Sequence, residues 1–385
     1  MNLTKQFFKY VSQNILGMIG FSCYVLADSY FISIAKGADG LTALNLVMPL
    51  YSIIFSIGEM IGVGSAIRYA ISKIKKDADA DDYFWNALIW CILSSMLFVF
   101  AGIFFSADIM RVLGADEHIV AVGNNYTKIF MCFAPMFMCN YVTNAFVRND
   151  GAPGIAMSAT LFSSLFNIVF DYILMFPMNL GMEGAALATA LSPIIGMGIC
   201  SIHFFSKKSS VRLVVCKPSV RKLVAGCQLG VSAFVGEMSS AVITLAFNFV
   251  ILKLAGNVGV AAYGVVANIA IVTTAVFNGV AQGSQPLISS CFGRGDKDGC
   301  TQLKRMGYTT AFVLAAVMYS ILFIFAGQFV AVFNSEGSEM LRLYATEGVK
   351  LYFIGIFFAG INIVGGGAFS ATEDAFKAAG VFLAE

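Results

Sequence analysis

Four carboxylic acids, Asp28, Glu59, Asp171 and Glu237, lie well inside long apolar stretches of the chain. A charge in hydrocarbon costs at least about 2.5 to 3.5 kcal/mol, so each must face a wet cavity, pair with a cation or take up a proton. All three outcomes suit movement of an ion across a membrane. The plainer alternative is a helix cap or a satisfied polar group near the lipid boundary. Lys128, Glu347 and Lys350 lie nearer the ends of their stretches, where a long side chain can reach water. Asn167 and Asp171 are four residues apart, as are Tyr24 and Asp28, and Asn140 and Asn144. On a helix such pairs share one face, a turn apart. Polar groups in lipid need partners, so these side chains are expected to enclose a pocket of two carboxyls, amides and a phenol. That is a ligand set for a proton or an alkali cation.

The elements that must position these groups follow from composition. Of 385 residues, 58% are apolar and 12% charged, against 45 to 50% and roughly 25% in soluble domains. Lipid must therefore solvate much of the surface. The net charge of +2 gives no strong field, and nucleic-acid binding has no footprint. Nine cysteines without a C-x-x-C pair read as small core residues, and two histidines, His118 and His203, lack a cluster at metal-ligand spacing. Neither a metal nor another cofactor is expected.

Runs of about 20 or more apolar residues read as membrane helices, and ten are complete: about 10–35, 41–72, 85–107, 119–147, 154–176, 184–206, 223–252, 259–291, 307–327 and 343–369. An eleventh begins near Ala375 and stops at Glu385, so the chain is expected to be C-terminally truncated in helix 11. The first run is too long for a cleavable leader, carries Asp28 and lacks a small-residue exit. With the N-terminus in the cytoplasm, that side holds 18 of the 24 Lys and Arg, Arg148 among them, which sets the orientation. Only Lys128 and Lys350 are then basic residues inside spans.

The most basic connection, Lys207 to Lys222, separates two weakly repeating halves. Gly58-Glu-Met-Ile-Gly62 matches Gly279-Val-Ala-Gln-Gly283 at an offset of 221, and Ala-Phe before Arg148-Asn-Asp matches Ala-Phe before Thr372-Glu-Asp at an offset of 223. The expected fold is an all-α polytopic membrane protein of two pseudo-symmetric six-helix lobes related by an axis along the membrane normal. Residues 1–206 form the N-lobe with helices 1 to 6, 207–222 a basic cytoplasmic linker, and 223–385 an incomplete C-lobe with helices 7 to 10 and the start of 11. The G-x-x-x-G pairs read as points of close helix approach.

Asn167-Ile-Val-Phe-Asp171-Tyr, followed by Gly181-Met-Glu-Gly-Ala-Ala-Leu-Ala-Thr189-Ala, resembles the N-x-x-x-D and G-x-x-G-A-A-x-A-T pattern of the multidrug and toxic compound extrusion (MATE) transporters, of the larger multidrug, oligosaccharide-lipid and polysaccharide exporter superfamily. Ala27-Asp28-Ser-Tyr-Phe31 and the segment from Gly279 to Ser289 resemble the family's first-helix and eighth-helix motifs, and the resemblance covers the whole chain. It implies a cation or proton site of Tyr24, Asp28, Asn144, Asn167, Asp171 and Thr189. Another branch relies on C-lobe carboxylates. Glu237 is a candidate for that role, although its distance from Gly230 departs from the pattern and the branch's tenth-helix aspartate has no match between 343 and 369.

The expected activity is efflux of organic cations by H⁺ or Na⁺ antiport with alternating access, in the inner membrane, with the bilayer and small molecules as partners and a monomer as the unit. Glu59, Glu237, Asn248, Gln282 and Gln285 are the candidates for the substrate cavity, whose walls can draw on 14% aromatic residues and 18 Met. A lipid-linked oligosaccharide flippase of the same superfamily is the first alternative; it needs a cationic cavity, and the interior charges here are mostly acidic. A membrane-embedded transferase is the second. It needs a His or Asp cluster, and Asp77, Asp79, Asp81 and Asp82 alternate with Lys and Ala in one short loop that reads as solvated.

Overall fold

The computed structural model describes residues 3–333 and 338–373, apart from the side chains of Ala38, Leu245, Asn248, Leu252, Asn257 and Phe333. Among these residues every element is helical. The membrane-length segments are α1 (Leu3–Gly37), α2 (Asp39–Lys75), α3 (Asp82–Val112), α4 (Glu117–Cys132 and Ala134–Asn149), α5 (Pro153–Met175), α6 (Met182–Phe204), α7 (Val220–Ile251), α8 (Val258–Gly293), α9 (Lys297–Ile324) and α10 (Glu339–Ser370). All ten spans expected from the sequence are present, most of them longer at their polar ends. A short helix, Ala326–Phe333, intervenes before α10. The start of an eleventh helix falls outside the described residues.

Two departures from straight spans have local causes. α4 bends by 46° between its two segments, where Pro135 in the first turn of the second one lacks an N–H and crowds the turn before it. The α1–α2 and α7–α8 hairpins turn at Gly37 (φ 59°) and Gly256 (φ 62°). These glycines stand 219 positions apart, at equivalent places in the two halves, and the left-handed conformation excludes most side chains.

α1 to α6 share one core that includes Leu44, Ile54, Ile67, Phe130 and Phe146, and α8 to α10 another that includes Phe277, Leu303, Val349 and Phe353. The lobes exchange their first turns. Phe7 and Val11 of α1 sit in the second core, while Leu229 of α7 sits in the first. Glycines allow this closeness: a Cβ at Gly64 would overlap Gly226 and Gly230 of α7, and Gly279 and Gly283 lie on the α1 backbone at Tyr10, Val11 and Ile15. Gly58 and Gly62 lie against α4 at Met138, Tyr141 and Val142. Both G-x-x-x-G pairs are thus close approaches, the first within a lobe and the second between lobes. These interlobe contacts all fall toward one side, here termed the basic face, where the N-terminus and the 207–222 linker emerge. Toward the other side Val242, Phe249 and Val250 of α7 are exposed, as is Leu254 just beyond it.

The linker is fastened to the first lobe. Asp150, at the end of α4, accepts hydrogen bonds from His203 Nε2 (2.8 Å), Ser209 Oγ (2.8 Å), the Ser210 amide (2.9 Å) and Ser210 Oγ. Asn86 Oδ1 takes the Ser219 amide at 2.6 Å, and Lys222 pairs with Asp79 and Asp82. The acidic loop is used in this way, with Asp81 paired to Lys73 at 2.7 Å.

Candidate functional site

The site in the first lobe is built by close packing of α5 on α6. Gly184, Ala185, Ala186, Ala188 and Ala190 are all buried, and a Cβ at 184 would press on the backbone at Leu174 and Met175. The small residues of the sequence motif therefore bring α6 near enough for Thr189 to reach Asn167. With its amide turned to satisfy both ends, Asn167 donates from Nδ2 to Asp171 Oδ2 (3.1 Å) and accepts at Oδ1 from Thr189 Oγ1 (3.2 Å). Asn167 and Asp171 are fully buried.

α1 brings the second carboxylate. Asp28 is buried and lies within electrostatic reach of Asp171, and Tyr24, one turn before it, is in reach of both acids. Asp28 Oδ1 and Asp171 Oδ1 are each buried with no hydrogen-bond partner. An unpaired buried acceptor is costly, and a proton or a small cation is chemically able to satisfy such an oxygen. Of the six residues expected at this site, Tyr24, Asp28, Asn167, Asp171 and Thr189 are brought together. Asn144 is not hydrogen-bonded to them: its amide donates to Ala156 O and Thr160 Oγ1 of α5, both at 3.2 Å. Asn140 sets its Oδ1 toward Gly196 of α6.

Two members escaped the sequence reading. Tyr51 of α2 and Tyr126 of α4 are buried, share a short hydrogen bond between their hydroxyls, and stand within electrostatic reach of Asp28 and Asp171. Tyr51 also stacks on Phe130 with ring centroids 3.7 Å apart. A phenol deep in an apolar span was the available signal, since its hydroxyl requires a partner.

A second polar cluster lies where the lobes meet. Gln282 of α8 donates from Nε2 to Glu59 Oε1 of α2 at 3.4 Å. Glu237 of α7 is in electrostatic reach of Glu59, and Tyr141 of α4 of both acids. Gln285 is buried, leaves its Oε1 unpartnered, and lies by Gly367 of α10. Asn248 falls outside the described side chains. Arg148 corrects the sequence reading. Although it stands at the basic end of α4, it is 4% exposed and donates from Nη1 to Gln282 Oε1 at 2.5 Å and to Asn14 Oδ1 at 3.4 Å. A basic residue in the last turn of a helix looks the same in sequence whether it reaches out to water or turns inward. Among the described residues Arg148 is thus a buried cation, whereas Lys128 is exposed and Lys350 is half-buried and paired with Glu347 at 3.1 Å.

The MatE family profile matches residues 14–173 and 233–383, one segment in each lobe. The multidrug export protein MepA of Staphylococcus aureus is 27% identical over 327 residues, 84% of this chain and 70% of its own length. MepA of Staphylococcus saprophyticus is 25% identical over 356 residues, 91% and 77% of the two lengths. Among solved structures, an outward-facing multidrug resistance MATE family transporter of the MOP superfamily superposes on 100% of this chain and 86% of its own, with a TM-score of 0.89 at 20% identity. A MOP superfamily transporter from Pyrococcus furiosus, noted for the reverse polarity of its binding pocket, covers 98% of this chain and 85% of its own, with a TM-score of 0.91 at 20% identity. At that identity the likeness is one of fold.

Proposed function

The chain belongs to the MatE family, and from that premise we propose that it is a multidrug efflux transporter that exchanges organic, chiefly cationic and amphipathic, compounds for H⁺ or Na⁺. The observation that carries the coupling site is the pair of orphan oxygens on Asp28 and Asp171. Two anionic carboxylates within electrostatic reach of each other in a buried site repel, and uptake of a proton or Na⁺ there lessens that repulsion and gives an unpaired oxygen a partner. Asn167 and Thr189 orient Asp171, and Tyr24 offers a further oxygen. Export follows if the ion and the compound favour opposite orientations of the lobes, because coupling needs only a difference in affinity between the two states.

The basic face is the cytoplasmic one, the N-terminus is cytoplasmic, and the protein resides in the inner membrane as a monomer. The excess of Lys and Arg on that face supports this orientation. Glu59, Glu237 and Gln282 line the path of the compound, and Asn144 joins the coupling site only in another arrangement of α4 and α5. The flippase alternative gains one buried cation in Arg148, but that residue sits beside Glu59, so acids still outnumber bases in the interior.

The test is efflux of a fluorescent organic cation from proteoliposomes under a proton gradient or, separately, a Na⁺ gradient. Efflux driven by one gradient, and reduced to background in Asp28→Asn and Asp171→Asn with insertion intact, is the expected result. Asn keeps the shape and removes the titrating charge, so export by Asp171→Asn at the unsubstituted rate would sink the coupling site. No gradient-driven movement of any cation would favour the flippase and an anionic substrate.

A further inference from the structure

We propose that Arg148 is a positioning residue for transport, one that ties the lobes together through Gln282 and responds to whether the Glu59/Glu237 pair is free or holds a cation. The export reading enters only in identifying that cation as a transported compound. The geometry is a bridge with a charge at each end. Gln282 comes from the second lobe. Its Oε1 accepts from the Arg148 guanidinium and its Nε2 donates to Glu59 Oε1, and both of those partners belong to the first lobe. One neutral amide is therefore held by a cation at its oxygen and by an anion at its nitrogen, and hydrogen bonds to charged groups are the stronger kind.

A guanidinium keeps its charge in a protein, so only the carboxylate end of the bridge can change. Glu59 and the Cys200 thiol face Arg148, and Glu237, Arg148 and Gln282 face Glu59. Tyr141 is within electrostatic reach of both acids. A cation at the acid pair competes for the Glu59 carboxylate and weakens its hold on Gln282. A cavity of about 20 Å³, polar at Asn14, Arg148 and Gln282 and apolar at Met18, Ala156 and Met157, adjoins the guanidinium, room for about one water. Arg148 Nε is buried without a partner, so no hydrogen bond at that atom holds the side chain in place.

The pseudo-symmetry supplies a control. Glu373, just past α10, forms an ion pair with Arg68 of α2, crossing the lobes between the helices that correspond to α4 and α8. It tethers the same face through different side chains.

The experiment places nitroxide labels at Ala78→Cys and Lys297→Cys, exposed positions at the basic face of either lobe, in a full chain whose nine native cysteines are replaced, in lipid nanodiscs. Inter-label distances are read by pulsed electron resonance with and without tetraphenylphosphonium. In the unsubstituted protein the cation should raise the long-distance population. Arg148→Gln should raise it without the cation, on the order of tenfold for the loss of a charge-assisted bond, and leave little further response. Arg148→Lys should restore part of the response. Arg68→Gln should widen the distances yet keep the response. Folding of each variant is checked by size-exclusion profile, and Glu59→Gln, which should behave like Arg148→Gln, tests the bridge without altering the arginine. Distances in Arg148→Gln that match the unsubstituted protein in both conditions would overturn the proposal. So would a widened Arg148→Gln that still responds fully to the cation. Failure of the export reading looks different: the distances would follow Arg148 as stated while proteoliposomes move no organic cation.

Discussion

Asp28 and Asp171 each leave one buried carboxylate oxygen unpaired, whereas Asn167 and Thr189 around them are matched atom to atom. That contrast separates the groups proposed to bind the ion from those that hold them. Thr189→Val removes the hydroxyl that steadies Asn167. It should cost about 1 kcal/mol in a thermal melt and weaken, without abolishing, gradient-driven efflux; an unchanged ion dependence would remove Thr189 from the site. Tyr51 and Tyr126 satisfy each other, so the effects of changing them are interdependent. Tyr51→Phe leaves the Tyr126 hydroxyl buried and alone and should cost about 1 to 3 kcal/mol, while the double change to Phe should recover most of that loss. Additive losses in the melting curves would show that the two hydroxyls do not depend on each other. The acids and the amide were legible in the sequence because a polar group inside an apolar span is conspicuous, and Thr189 only through the resemblance of its motif to the MATE pattern. Arg148 was not, because a helix end can lie at the surface or between lobes with the same residues.

At the level of the helices, two devices recur in both halves: a left-handed glycine that turns a hairpin, and small residues that let helices touch. Nothing lies within 4 Å of a Cβ built at Gly37 or Gly256, so substitution there meets no neighbour and the penalty is in the backbone. Gly37→Ala and Gly256→Ala should each lose about 1 to 3 kcal/mol, and Asn at either position should lose about as much, because positive φ combined with strongly negative ψ is essentially a glycine-only conformation, as read by thermal unfolding in detergent. A much smaller loss for Asn would point to another cause. All ten spans were readable from apolar length alone, since lipid requires a helix of nearly fixed minimum length. The bend in α4 was not read, although Pro135 was visible, because a proline is compatible with a kink, a break or a continuous membrane helix until its neighbours are known.

For the molecule as a whole, the joint between the lobes is fastened to one of them. Asp150 gathers His203, Ser209 and Ser210, and Ser210 Oγ also meets the Tyr69 hydroxyl at 3.0 Å, so the first part of the linker moves with the first lobe. Asp150→Ala should free it, and limited trypsin digestion at Arg212 and Lys217 should quicken several-fold while the helices stay protected. Cleavage at the unsubstituted rate would mean that the later anchors, Asn86 and Lys222, suffice. By itself the sequence determined the solvent, the number and order of the spans and the acids that stand out, because each of these follows from the cost of placing a polar or charged group in hydrocarbon, and the doubled plan, because its motifs recur at a nearly constant offset. Only the tertiary structure decided which helices exchange between lobes, that Asn144 bonds to α5 and not to the aspartates, and that Arg148 joins the halves through Gln282. Those outcomes depend on distances between segments far apart in the chain, set by glycine contacts and helix crossings that no local spacing encodes.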